Sequence, residues 1–155
     1  MKLHLSVANT IRLLAVVVLA ILSAAALASV GDSPVGLWKM IDDRNGTPRA
    51  LIRVTEINGK FRGVIEKGLR PDDHDDAVCE KCEGPRHGQR LVGMVILTGI
   101  RKQGEAYGGG EIVDPDEGKA YRCKITVKDG GNTLQVRGFV GIEVFGRTQT
   151  WVRAE

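Results

Sequence analysis

The sequence predicts a small all-β domain, a single antiparallel barrel of roughly eight strands, preceded by a secretory leader. Three observations lead there. Helical periodicity is almost absent after residue 30. Short β-type runs recur at close spacing between Gly, Asn, Asp and Pro turns. All 20 glycines fall beyond the first 30 residues. Short strands at such spacing are the mark of an antiparallel sandwich or barrel. Closing the sheet removes the edges at which strands of different molecules would otherwise pair. A glycine share about twice the usual ~7% suits turns, bulges and bent strands.

The leader comes first. Lys2 and Arg12 supply positive charge, residues 13–22 form an unbroken apolar run, and Ala26-Leu27-Ala28 has the small-x-small pattern that signal peptidase cuts. The competing reading is an uncleaved anchor, since residues 13–30 reach the ~18 needed to span a bilayer. The Ala-rich end favours cleavage after Ala28, and no Cys stands at that point to carry a lipid. The expected organisation is a signal peptide at 1–28, a short linker at 29–34 and a barrel domain at 35–155, with no membrane span left after cleavage. Of the 22 Lys+Arg and 19 Asp+Glu, the leader holds Lys2 and Arg12 and no acid. The rest is therefore nearly neutral, with 20 bases against 19 acids, which is no electrostatic footprint for nucleic acid.

The strand signals follow in order. Residues 36–41 form the first run. In residues 49–57, Ala50, Ile52 and Val54 alternate with Leu51, Arg53 and Thr55, and Asn58-Gly59 then signals a type I′ hairpin. Residues 60–66 place Phe61, Gly63 and Ile65 on one face. A long polar stretch, 67–90, interrupts with two prolines, two cysteines and two histidines, and a connection of that length is usually functional or covalently ordered. Strands resume at 90–97 and 105–113, where Gly108-Gly109-Gly110 suggests a bend. At 119–127, Tyr121, Cys123, Ile125 and Val127 share a face, and at 133–140 Leu134, Val136, Gly138 and Val140 do so. Residues 148–153 close the chain.

Two details sharpen the barrel. Gly36-Leu37-Trp38 opens the first strand and Arg153 ends the last, which is similar to the lipocalin pattern of an early G-x-W and a late Arg. That similarity implies that Trp38 plugs one barrel end, with Gly36, Trp151 and Arg153 around it. The whole chain beyond the leader resembles a family of small exported bacterial proteins known as domain of unknown function twenty-one forty-seven. The matching stretches are Gly36-Leu37-Trp38, Val78-Cys79-Glu80-Lys81-Cys82, Ile112-Val113-Asp114-Pro115, Gly118-Lys119-Ala120-Tyr121, Val136-Arg137-Gly138-Phe139 and 145–151. The resemblance implies a lipocalin-like barrel in the periplasm or cell envelope of a bacterium. It supplies no catalytic residues.

Each candidate site has a bland alternative. Cys79-x-x-Cys82 in an exported protein reads first as a structural disulfide, within the pair or from one of them to Cys123. A redox pair would want a helix N-terminus that is missing here. A zinc site would combine Cys79, Cys82 and Cys123 with His74 or His87. Three cysteines leave one over, and strand alternation makes Cys123 the free one, a small hydrophobe among core residues. Asp72, Asp73, Asp75 and Asp76 offer oxygen ligands for calcium, but without EF-hand spacing they read as a solvated loop. Asp114, Asp116 and Glu117 read as turn residues ahead of an acid–base pair, and Gly108 to Gly110 lacks the Lys-Ser/Thr of a phosphate loop. The serines beyond the leader are Ser29 and Ser33, too far out for a Ser-His-Asp triad. Arg137, Arg147 and Arg153 are either anion ligands or surface ion pairs.

These features point away from an enzyme. The leading expectation is a barrel holding a small apolar or amphipathic ligand, lined by Trp38, Phe61, Tyr121 and Val136 with Arg137 at the rim, and with no cofactor unless the cysteines hold zinc. The rivals are a packed barrel that docks a protein partner through the 67–90 loop, and a thiol or zinc protein built on Cys79 and Cys82.

Overall fold

The computed structural model describes residues 33–155; the expected leader and residues 29–32 of the linker lie outside the described residues. Eight strands run in order: β1 (Gly36–Ile41), β2 (Pro48–Ile57), β3 (Lys60–Gly68), β4 (Val95–Gln103), β5 (Ala106–Asp114), β6 (Lys119–Lys128), β7 (Thr133–Phe139) and β8 (Arg147–Arg153). Each pairs antiparallel with the next, and β8 returns to β1, so the sheet closes into a barrel.

Side-chain alternation decides what lies inside. Ile52 and Val54 of β2, Ile125 of β6, and Leu134 and Val136 of β7 are all buried, and Trp38 and Trp151 are fully so. The β2–β3 turn places Asn58 at φ 52° and Gly59 at φ 72°, the two left-handed residues that a type I′ turn requires. Other glycines allow close approach. A Cβ on Gly110 would overlap the backbone of Thr98 and Ile100, so β4 and β5 can approach this closely at that point only because residue 110 has no side chain.

The fourth strand differs from expectation. It runs from Val95 to Gln103 rather than over 90–97, and the long connection therefore spans 69–94 rather than 67–90. Residues 91–94 belong to the connection: Leu91 N–H donates to the Ala77 carbonyl at 2.8 Å, and Gly93 turns the chain at φ 88°. Beyond Leu97 the strand continues because Gly99, at φ 72°, absorbs a register slip that carries Ile100 back to the inner face. Arg101, Lys102 and Gln103 are exposed where the strand runs out toward its hairpin.

One end of the barrel is closed by packing. Trp38 pairs with Arg153 across β1 and β8, and the Arg153 guanidinium sits 4.2 Å above the Trp38 ring. Trp38 Nε1 donates to the Pro34 carbonyl at 2.8 Å. Arg153 also donates to the carbonyls of Gly131, Val35 and Ser33, tying the β6–β7 turn and the incoming chain to the same point. Gly36, at φ 145°, lies against that guanidinium, where a side chain would collide with it. Replacing Arg153 by Ala removes the ring contact and these donors. It is expected to cost roughly 2 kcal/mol of unfolding free energy, measured by urea denaturation; a loss under about 0.5 kcal/mol, the scale of an ordinary surface change, would show that closure does not depend on it.

Candidate functional site

The opposite end of the barrel is not filled. A cavity of about 330 Å³ opens there, at the C-terminal ends of β1, β5 and β7 and the start of β2, β6 and β8. Its apolar wall comes from Met40, Ile112, Val113 and Val136, and its lip from Tyr121, Phe139, Val140 and Phe145. Gly138, on the inner face of β7, leaves part of this space open. A Cβ there would meet Ile112 and Tyr121 only at ordinary contact distance, 3.5 Å. The volume has room for roughly ten groups of water or methylene size, at the small end of the range for ligand pockets.

The polar groups at the mouth are already matched. Arg147 forms a two-point ion pair with Asp43, which holds the Asp43 carboxyl below its ordinary range. The Tyr121 hydroxyl donates to Glu117, and that carboxylate, with some help from burial, pushes the phenol up to about 12, so it stays a neutral donor. Beside the cavity an arginine–aspartate network fastens four segments. Asp42 accepts from the Arg44 backbone at 2.9 Å and from its guanidinium at 3.2 Å. Buried Arg49 lies 3.8 Å from Asp42 and donates to Asp116. Arg70 bridges Asp116, at 3.0 Å, and Asp73, at 3.2 Å. Such an arrangement offers an incoming molecule apolar surface and a hydrogen-bonding edge, not an unpaired buried charge.

Of the expected ligand-binding residues, the structure brings Tyr121 and Val136 to the cavity and sets the other three apart. Trp38 lies in the closed end. Phe61 packs edge-on against Tyr107, ring centres 5.0 Å apart, inside the core. Arg137 is outside the barrel, donating to the carbonyls of Glu143 and Val144 and to Thr148 Oγ1. Met40, Ile112, Phe139, Phe145 and the space at Gly138 were not picked out from the sequence. The signal available for Phe145 was its setting, four large apolar residues in the short stretch 140–145 where a polar turn would be usual.

The cysteine loop resolves differently from its zinc reading. Cys79 and Cys82 are joined in a disulfide with Cα atoms 5.4 Å apart, and both are buried. Their sulfurs are therefore not thiolate ligands, and Cys123 is a separate, free thiol inside the barrel, pushed up to about 12 by burial. Among the described residues no three His, Cys, Asp or Glu side chains converge as metal ligands would. His87 Nδ1 donates to the Cys82 carbonyl at 3.1 Å, while His74 is exposed. The aspartates of 72–76 do not act together, since Asp73 pairs with Arg70 and the other three face solvent. Asp114 accepts from the Asp116 backbone N–H at 2.9 Å as a turn residue, so Asp114, Asp116 and Glu117 each hold a different partner. The disulfide loop packs against this β5–β6 turn: a Cβ on Gly118 would strike the Lys81 carbonyl.

A closed, eight-stranded antiparallel barrel, plugged at one end by Trp38 and Arg153 and open at the other, is a lipocalin-like barrel. The profile of the family described as "uncharacterized protein conserved in bacteria (DUF2147)" matches residues 36–153, and the chain belongs to that family. A solved structure with the same fold is that of HP1028 from the human pathogen Helicobacter pylori, described as belonging to the lipocalin family. It is 19% identical, with a TM-score of 0.68 over 79% of this chain and 84% of that one. No curated protein matches the chain.

Two expectations follow. Asp42 is held at about 2, below its ordinary 3.8, chiefly by hydrogen bonds from Arg44. A depressed folded-state value means a stability contribution fully present above about pH 4 and lost as pH falls toward 2. Between pH 6 and 2 the native protein should lose about 1–2 kcal/mol more than an Asp42→Asn variant; parallel unfolding curves would refute this. Cys123 should resist alkylation at pH 8 in the folded protein and react once the chain is unfolded in urea. Rapid labelling of the native state would mean that the barrel opens readily.

Proposed function

We propose that this protein is a non-enzymatic binding barrel of the bacterial envelope that holds a small apolar or amphipathic molecule in the mouth cavity. The observation that carries the reading is the unfilled end of an otherwise closely packed barrel, with an apolar wall and an edge of satisfied polar groups. Apolar ligands bind such concave sites by removing their own and the wall's surface from water, and the polar edge orients them. A ligand of this volume is the size of a short acyl chain or one or two fused rings, and its polar end would sit near Tyr121, Gln149 and Arg147. The export signals at 1–28 and a buried disulfide both support a setting outside the cytoplasm, where cysteines remain oxidised.

The test is occupancy. A neutral naphthylamine probe should fluoresce on binding the native protein and be displaced by medium-chain fatty acids or alcohols. Gly138→Leu fills the cavity from a position with room for a Cβ, and should weaken probe binding by about tenfold or more while leaving the melting temperature nearly unchanged. Equal probe affinity in the two proteins would place binding elsewhere and remove the cavity from the account.

A further inference from the structure

The described residues include eight large apolar side chains that stand exposed, and the four most exposed share one loop between β7 and β8: Val140 at 72%, Ile142 at 62%, Val144 at 78% and Phe145 at 80%. The others, scattered over the barrel, reach only 38–55%. Single exposed apolar residues are ordinary, but a contiguous group of this kind marks an interaction site. We propose that the β7–β8 loop is a membrane-docking element that seats the barrel mouth on a bilayer containing anionic lipid.

Three features favour a lipid surface over other occupants. The first is the fixed shape of the loop. Its backbone carbonyls are satisfied from below: Arg122 donates to Gly141 at 3.3 Å, and Arg137 donates to Glu143 and Val144, each at 3.0 Å. Lys124 holds the Glu143 carboxylate at 3.0 Å. These polar atoms are thus turned to the protein and the four apolar side chains to the outside, in a loop whose shape is fixed before it meets a partner.

The second is charge. Arg122 and Arg137 meet carbonyl or hydroxyl oxygens and the Phe139 ring, and among the described residues neither has a carboxylate partner, nor has exposed Lys119 at the same end of the barrel. An apolar tip above arginines held by neutral oxygens and a ring matches the two layers of a bilayer surface, acyl boundary and anionic headgroups. Of the exposed acids at this end, Glu117 is held by the Tyr121 hydroxyl, while Asp72, Asp75, Asp76, Glu80 and Glu83 lie on the connection between β3 and β4, whose disulfide loop packs on the β5–β6 turn. A second copy of the chain docked by the same loop about a two-fold axis would instead set one patch holding Arg122, Arg137 and Lys119 beside an identical patch.

The third is position. Val140 and Phe145 also form the cavity lip, so a loop entering the headgroup layer would open the cavity directly onto the membrane. Docking itself does not require that the cavity bind a ligand. Ile142 and Val144 are outside the cavity lining, which lets the two ideas fail separately.

The experiment uses the protein in the form its host makes. A Val144→Cys variant carries an environment-sensitive nitrobenzoxadiazole label on the exposed loop thiol, Cys123 being buried. With vesicles of phosphatidylglycerol and phosphatidylethanolamine the label should brighten and shift to the blue, more at low salt than at high, and much less with phosphatidylcholine alone. In unlabelled protein, Ile142→Ser with Val144→Ser should reduce the loop-dependent association by about tenfold or more. Gly138→Leu should leave it unchanged. A label that stays water-like while the protein floats with the vesicles would overturn the proposal. So would a lipid-free dimer that the same double variant dissolves, because the loop would then be the contact between two copies.

Discussion

The contact of Arg153 with Trp38 joins the first strand to the last. The β1–β8 seam holds only three register pairs, Trp38 with Arg153, Lys39 with Val152 and Met40 with Trp151, and the closure of all eight strands depends on it. Backbone hydrogen bonds over so short a seam do not by themselves set it apart from an open sheet. The guanidinium lies on the indole and reaches carbonyls of Gly131, Val35 and Ser33, so one side chain ties together the seam, the β6–β7 turn and the chain entering β1. A closed sheet has no free edge for another molecule to extend.

Filling one end with Trp38 under Arg153 has a consequence at the other. Eight strands enclose an interior that side chains can just fill, and here the large residues are spent on the Trp38 end and the middle layers. At the far end the inner position of β7 carries Gly138, paired across the ladder with Cys123, and the space at Gly138 becomes part of the cavity. The mouth is then shaped from outside the strands. The Asp42, Arg49, Asp116, Arg70 and Asp73 network draws the β1–β2 turn, the long connection and the β5–β6 turn together on one side. On the other side Arg122, Lys124 and Arg137 support the apolar β7–β8 loop. Charges are used here to hold loops in place, which leaves an apolar surface facing whatever enters.

The disulfide acts locally. It links residues only three apart, so it removes little chain entropy compared with a long-range bridge. Its role is to make a compact, buried knot in the 69–94 connection that packs on the β5–β6 turn at Gly118. The third cysteine takes no part, since it lies inside the barrel on another strand.

Much of the fold was legible in the sequence, because binary alternation and turn chemistry are local properties. Tyr121, Cys123 and Ile125, or Leu134 and Val136, declare an inner face by spacing alone, and Asn58-Gly59 declares a hairpin. The fourth strand was misplaced because its signal is interrupted. Gly99 breaks the alternation, and only the partner strands show that the break is a bulge and not an end. The site was less legible for the same kind of reason. A cavity is a missing volume, and no residue carries it; Gly138 looks like any strand glycine until Ile112 and Tyr121 are seen beside it. Arg137 and Arg153 look alike in the sequence, yet one supports an outer loop and the other seals the barrel. What the sequence determined by itself was therefore strand count, inner and outer faces and the presence of a cysteine pair, which follow from neighbours along the chain. The tertiary structure alone decided the pairing of Cys79 with Cys82, which end of the barrel is open, and which charges are matched, because these depend on distances between segments that closure of the barrel brings together.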